Sequence, residues 1–222
     1  RTALAWATEH GETDTALRLA SAVFDPFWIF DPQWQVSNNA RELRTWTRRA
    51  LAMPGGSPPN RVAALVSAAC LAEARGDIAE SHALVDQAIT LAHAHGDGLG
   101  LATASFVRGR AAYREGDITT SRRLLTDALS GFRARDAKGR AAWALCFLAS
   151  LDSLHAIDEG GDASTLELAA GRCEEALATF RASDYLPGIT RALHGRAYIA
   201  YKQRDLPLAL AYTKELLILA RE

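Results

Sequence analysis

Ala74-Arg75-Gly76-Asp77-Ile78 is followed at a fixed interval, 116 − 76 = 40, by Arg114-Glu115-Gly116-Asp117-Ile118. Each segment stands between two alanine- and leucine-rich runs whose apolar residues recur every three or four positions, the spacing of an amphipathic helix. Glycine ends a helix at positive φ, and an aspartate directly after it accepts from the first backbone N–H groups of the next helix. One dipeptide therefore closes one helix and opens another. A helix hairpin of this size cannot bury its apolar faces alone, so copies of it stack. The reading is an all-α fold, a right-handed α-solenoid of antiparallel helix pairs with repeats of about 40 residues.

The same periodicity extends over nearly the whole chain, and the strict alternation of a half-buried strand is not found over a useful length. It predicts about eleven helices, near 2–9, 13–30, 39–52, 60–75, 78–94, 99–115, 118–134, 139–156, 164–181, 188–203 and 207–221. Gln203-Arg204-Asp205-Leu206 reads as a third copy of the turn, with Pro207 in a first turn where its missing N–H costs nothing. Asp77 and Glu80 have the spacing of a capping box. The opposite turns echo one another at Asp97–Gly100, Asp136–Gly139 and Asp184–Gly188, where 136 − 97 = 39 and 184 − 136 = 48. The extra residues of the third unit fall in the stretch from Ala156 to Asp162. The expected organisation is one domain over 1–222, with capping helices over 1–56 and about four hairpins over 57–222, cut from a longer protein.

Composition narrows the function. The chain has 222 residues, 49% hydrophobic and 23% charged, with 25 Lys plus Arg against 26 Asp plus Glu. A net charge of −1 gives no basic face for phosphates, so no direct nucleic-acid contact is expected. Arg41, Arg44, Arg48 and Arg49 form the densest basic cluster and read as the solvated face of one helix. Cys70, Cys146 and Cys173 lie far apart inside helical patterns, as small core residues of a reduced, cytoplasmic protein. No apolar run reaches the roughly 20 residues of a membrane span. The histidines lack H-E-x-x-H, the glycines lack a Walker loop, and the serines lack a nucleophile elbow, so neither a metal, a cofactor nor catalysis is expected.

Within each unit small residues recur at fixed offsets: Ala69, Ser81 and Ala88; Gly109, Ser121 and Ala128; Ala197 and Ala209. This pattern resembles the tetratricopeptide repeat (TPR), with longer helices than the 34-residue unit. Three further segments resemble the long-helix repeats in the C-terminal parts of signal-transducing ATPase regulators, of the maltose-regulator and LuxR types. They are Leu4-Ala5-Trp6-Ala7 with His10-Gly11-Glu12 and Ala16–Ala20; Trp46 through Arg49-Ala50-Leu51, then Met53-Pro54-Gly55-Gly56 and Arg61-Val62-Ala63-Ala64-Leu65; and the Gly-Asp repeats that follow in order. The resemblance implies an upstream ATPase switch domain and a repeat region that senses a small-molecule inducer or a protein or peptide partner.

In stacked hairpins the first helix of each pair lines the concave face. The offsets predicted to point there are Thr103, Phe106, Arg110 and Tyr113; Ala142, Leu145, Ala149 and Asp152; and Arg191, His194, Tyr198 and Tyr201. Aromatic rings beside guanidinium and imidazole groups suit sugars, peptides or carboxylates. The binding set is accordingly Thr103, Phe106, Arg110, Tyr113, Asp152, Arg191, His194, Tyr198 and Tyr201. The alternative function is a protein–protein scaffold or self-association module, which would need exposed apolar patches instead. The aromatic segment Phe24–Trp34 reads as a packed cap or as a contact with another domain or copy.

Overall fold

The computed structural model describes residues 2–22, 39–158 and 163–220. Among these residues the chain is helical without strands: α1 (Thr2–Glu9), α2 (Thr13–Ala22), α3 (Asn39–Ala52), α4 (Pro58–Glu73), α5 (Ile78–Ala94), α6 (Gly98–Glu115), α7 (Ile118–Arg133), α8 (Lys138–Asp158), α9 (Ala163–Ala182), α10 (Leu186–Lys202) and α11 (Leu206–Leu219). The predicted helical stretch 23–30, the aromatic segment Phe24–Trp34 and the residues 159–162 lie outside the described residues. Starts and ends differ from expectation by up to two residues, and at two starts prolines are the reason. Pro58 and Pro59 follow Ser57, Pro187 follows Leu186, and each sits in the first turn, so α4 and α10 begin two residues before the apolar pattern does.

The chain divides into two compact units, residues 1–115 and 116–222. In the first, α4 packs against α5 and α5 against α6, while α4 also meets α6, so that first helices of successive pairs touch. α1 and α2 pack together, and α2 and α3 both lie on α4. Leu65, Val66 and Leu71 of α4, Val85 of α5 and Phe106 and Val107 of α6 form the core. Ala69, Ser81, Ala88 and Gly109 are all buried, which lets these long helices approach closely. In the second unit α7 packs on α8, α8 on α9, α9 on α10 and α10 on α11, with α8 again meeting α10. Trp143, Phe147, Leu148 and Leu151 of α8, Phe132 of α7, Phe180 of α9 and Leu193 and Ile199 of α10 fill its core. Cys146 and Cys173 are buried there, and burial pushes their thiols up to about 12 and about 11.

The turns follow one rule with two chemistries. Gly76, Gly96 and Gly116 have φ of 78°, 64° and 83°. The matching positions in the second unit, Asp136, Asp184 and Arg204, are also left-handed, at 52°, 48° and 65°. At five of these turns an N–H beyond the helix end closes back on a carbonyl of its last turn, from Asp77 to Ala72, Asp97 to Ala92, Ala137 to Phe132, Tyr185 to Phe180 and Asp205 to Ala200. These are Schellman caps. Asp77, Asp117 and Asp205 then accept from the N–H groups of Glu80, Thr120 and Leu208. The structural equivalent of Asp136 and Asp184 is therefore Gly96 rather than Asp97, one position earlier than the sequence echo suggests. Asp97 is the N-cap of α6, accepting from Gly100 at 2.8 Å.

Arg204 is the one long side chain forced into this role among the described residues. A left-handed L residue costs about 1–2 kcal/mol, partly offset in glycine by its greater freedom when unfolded. Arg204→Gly is therefore expected to stabilise the second unit by about 0.5–1 kcal/mol, measured as a rise in the denaturant midpoint at unchanged slope.

Candidate functional site

The first helices α4, α6 and α8 are buried along most of their middle turns, and this decides the fate of the groove residues predicted on α6 and α8. In α6, Thr103 gives its hydroxyl proton to the Leu99 carbonyl at 2.8 Å and is buried, and Phe106 is fully enclosed. Arg110 is 1% exposed. Its guanidinium donates to the Glu73 carboxylate, itself 2% exposed, and lies 3.3 Å from the Cys70 sulfur. Arg114 donates to the other Glu73 oxygen at 2.7 Å from the surface side. Tyr113 is half-buried. Arg110 thus ties α6 to α4 inside the first unit, and Arg110→Ala reports on folding before it reports on any ligand.

Asp152 behaves in the same way. It is 2% exposed, and its two oxygens take Arg122 of α7 and Arg172 of α9, so one carboxylate clamps three helices. Ala142, Leu145 and Ala149 of α8 are core. Four of the nine predicted binding residues, Thr103, Phe106, Arg110 and Asp152, therefore have their side chains packed inside a unit. Charge was legible at Arg110 and Asp152, but the burial of that charge was not.

The α10 residues stand differently. Arg191 is half-buried, donates to the Ser150 hydroxyl at 2.8 Å, and has its guanidinium carbon 5.6 Å from the centre of the Phe147 ring. His194, Tyr198 and Tyr201 follow along the helix at spacings of four and three, which places them on one face. All three are exposed, Tyr198 by 43% and Tyr201 by 58%. The Lys202 ammonium sits 5.3 Å from one tyrosine ring and 5.9 Å from the other. Partial burial, and then the Arg191 guanidinium, hold the His194 pKa below its ordinary value. Lys202 was not singled out by the sequence pattern, although its place one residue after Tyr201 would have found it.

α11 extends this surface chemistry. Leu206, Leu210, Leu217 and Ile218 are each more than half exposed. A polar cluster at the edge of that helix joins Tyr212, whose hydroxyl donates to Glu174 at 2.8 Å, to the Arg196 guanidinium that also holds Glu174. Glu215, further along, takes Arg181 of α9 at 2.5 Å. Among the described residues no group of His, Cys, Asp and Glu side chains is placed to hold a metal ion, and no helix is long and apolar enough to cross a membrane.

The chain is similar in structure to TPR-like repeat proteins. BtubC (BKLC) from P. vanneervenii superposes over 100% of this chain and 92% of its own at a TM-score of 0.65 and 17% identity. A putative kinesin light chain from Podosopora anserina with nearly identical TPR-like repeats covers 95% of each chain at a TM-score of 0.60 and 14% identity. A second structure of that protein, carrying one substitution, covers 94% of each at 0.61 and 13%. The fold is TPR-like. No family model matches the sequence, and no curated protein does.

Proposed function

We propose that this chain is a protein-docking module of a cytoplasmic transcriptional or signalling regulator, with no chemistry of its own, and that the α10–α11 hairpin is its docking surface. One observation carries the reading. Of the eleven large apolar side chains exposed among the described residues, seven fall on this hairpin: Leu186, Tyr198, Tyr201, Leu206, Leu210, Leu217 and Ile218. The second helices α5, α7 and α9 each bury four or five residues, whereas α11, more apolar than any of them, buries none. Exposed apolar surface costs about 25 cal/mol per Å² while wet, and its concentration on one hairpin favours a contact site.

The partner that fits is an apolar helix with acidic flanks. Leucines at 206, 210 and 217 offer knobs at helical spacing, and Arg191 and Lys202 supply cations on the neighbouring helix. The TPR-like fold supports a protein-binding role, and the sequence resemblance to ATPase regulators supports a switch domain as the element that responds. Binding would act by favouring one docking state over another, since only differential affinity shifts an equilibrium.

The test is selection of a displayed library of amphipathic helical peptides on the immobilised chain. The expected outcome is enrichment of peptides with apolar residues at three- and four-residue spacing, lost on a Leu210→Glu, Leu217→Glu variant whose circular dichroism is unchanged. Failure to enrich any family, or equal binding to the variant, would overturn the reading. Concentration-dependent dimerisation abolished by the same variant would instead make the surface a self-association face.

A further inference from the structure

The basic cluster of α3 has a second side. Arg44, Thr47, Arg48, Leu51 and Ala52 form one wall of a cleft of about 330 Å³, closed by Arg61, Leu65 and Ala68 of α4 and by Glu80, Leu84 and Gln87 of α5. All of it lies within the first unit. The volume is at the lower end of small-molecule sites, which run from roughly 300 to 1,000 Å³.

Its charge is arranged unevenly. Arg44 and Arg48, one helical turn apart, share a single carboxylate, Glu80, each through one terminal nitrogen, with Asp77 at 3.7 Å from Arg44. Arg61 is fixed by the carbonyls of Leu51, Met53 and Gly55 at 2.6–2.8 Å, where it crowns the C-terminal end of α3. Glu80 holds these arginines instead of reaching back to complete the capping box with Asp77, whose own N–H is taken by the Ala72 carbonyl. Three guanidinium groups and one carboxylate thus ring a pocket whose other walls are aliphatic: Leu51, Leu65, Ala68 and Leu84. A wholly uncharged body placed there would cover the donors that Arg44 and Arg48 do not spend on Glu80, which is costly. A bare inorganic anion would leave the aliphatic walls wet.

We propose that this cleft binds a small organic acid, its carboxylate on Arg44 and Arg48 and its aliphatic or aromatic body against Leu51, Leu65, Ala68 and Leu84. The guanidinium fork matches a carboxylate in two parallel bonds, and each arginine keeps donors beyond the one spent on Glu80. Arg48, with its side chain 58% exposed, is the cation a ligand meets first. The site lies in the first unit and stands or falls independently of the docking surface on α10–α11.

Calorimetric titration of the whole chain with octanoate, 3-phenylpropionate and the neutral octanamide tests it. The acids are expected to bind saturably, more weakly as salt rises, and octanamide about tenfold or more weakly. Arg44→Gln with Arg48→Gln should weaken octanoate about tenfold, whereas Glu80→Gln, which frees both arginines from a competing carboxylate, should tighten it about threefold. Both variants break the same ties between α3 and α5, so opposite signs cannot come from lost folding. Absence of saturable binding by either acid, equal affinity for octanamide, or loss of affinity in Glu80→Gln would overturn the assignment.

Discussion

Glu73→Ala is expected to destabilise the first unit by about 3–5 kcal/mol, the cost of leaving a buried charge without its counter-ion. The charge left behind is the Arg110 guanidinium, only 1% exposed and walled by α4 and α6. The Arg110 side chain is 2% exposed, so the penalty falls on a buried guanidinium. For a unit of this size the unfolding midpoint should fall by roughly 10 °C or more. Asp152→Ala is the internal comparison, because its two arginines have side chains 37% and 23% exposed and can turn outward once released. Its cost should be visibly smaller. Replacing the first pair whole, Glu73→Leu with Arg110→Met, should recover most of the loss, since well-packed apolar residues do as well as a buried pair. Differential scanning calorimetry on the four proteins decides it. An Asp152→Ala cost equal to that of Glu73→Ala would show that burial of the surviving cation is not the controlling factor.

That pair also shows what was legible in the sequence and why the rest was not. Helix positions came through because Gly76-Asp77 and Gly116-Asp117 are local chemistry, and local chemistry is written in adjacent residues. The turn at Arg204 was placed correctly as a third copy, yet the left-handed backbone at Asp136, Asp184 and Arg204 was not foreseen, because those side chains only tolerate what glycine prefers. The rotation of the first helices was the harder matter. α4 is buried continuously from Ala64 to Glu73 and α8 from Ala141 to Ala149, since each is covered by neighbours on several sides. A helix apolar nearly all round has no polar stripe to announce its open face. Arg110 and Asp152 were therefore read as groove residues when they are internal ties. α10 keeps a polar-aromatic face, with His194, Tyr198 and Tyr201 exposed on it. The cleft under Arg44 and Arg48 depends on contact among three helices, and no spacing within α3 encodes it.

Phe180→Ala is the second large effect, and its coupling to Gly188 makes it more than a cavity measurement. Phe180 is 1% exposed and stands edge-on to Trp143 at 5.6 Å and tilted to Tyr185 at 5.7 Å between ring centres. Its carbonyl accepts from the Tyr185 N–H, so the ring contact is the apolar half of the same Schellman cap that turns α9 into α10. Truncation removes the ring and the staple together, for about 3–5 kcal/mol. Two helices then lose their shared corner. The ring also reaches across to Gly188, where a Cβ would come within 2.3 Å of the Phe180 Cδ1, far inside contact distance. Gly188→Ala alone should cost about 1–3 kcal/mol by overpacking. In the Phe180→Ala background that methyl enters the space the ring vacated, and alanine is the better helix former by about 1 kcal/mol, so the same substitution should be neutral or stabilising. The expected coupling in a double-mutant cycle is about 2 kcal/mol, well above the additivity limit. Additive losses would mean that Gly188 is required for its backbone alone, and that the Phe180 ring does not set how closely α10 approaches α9.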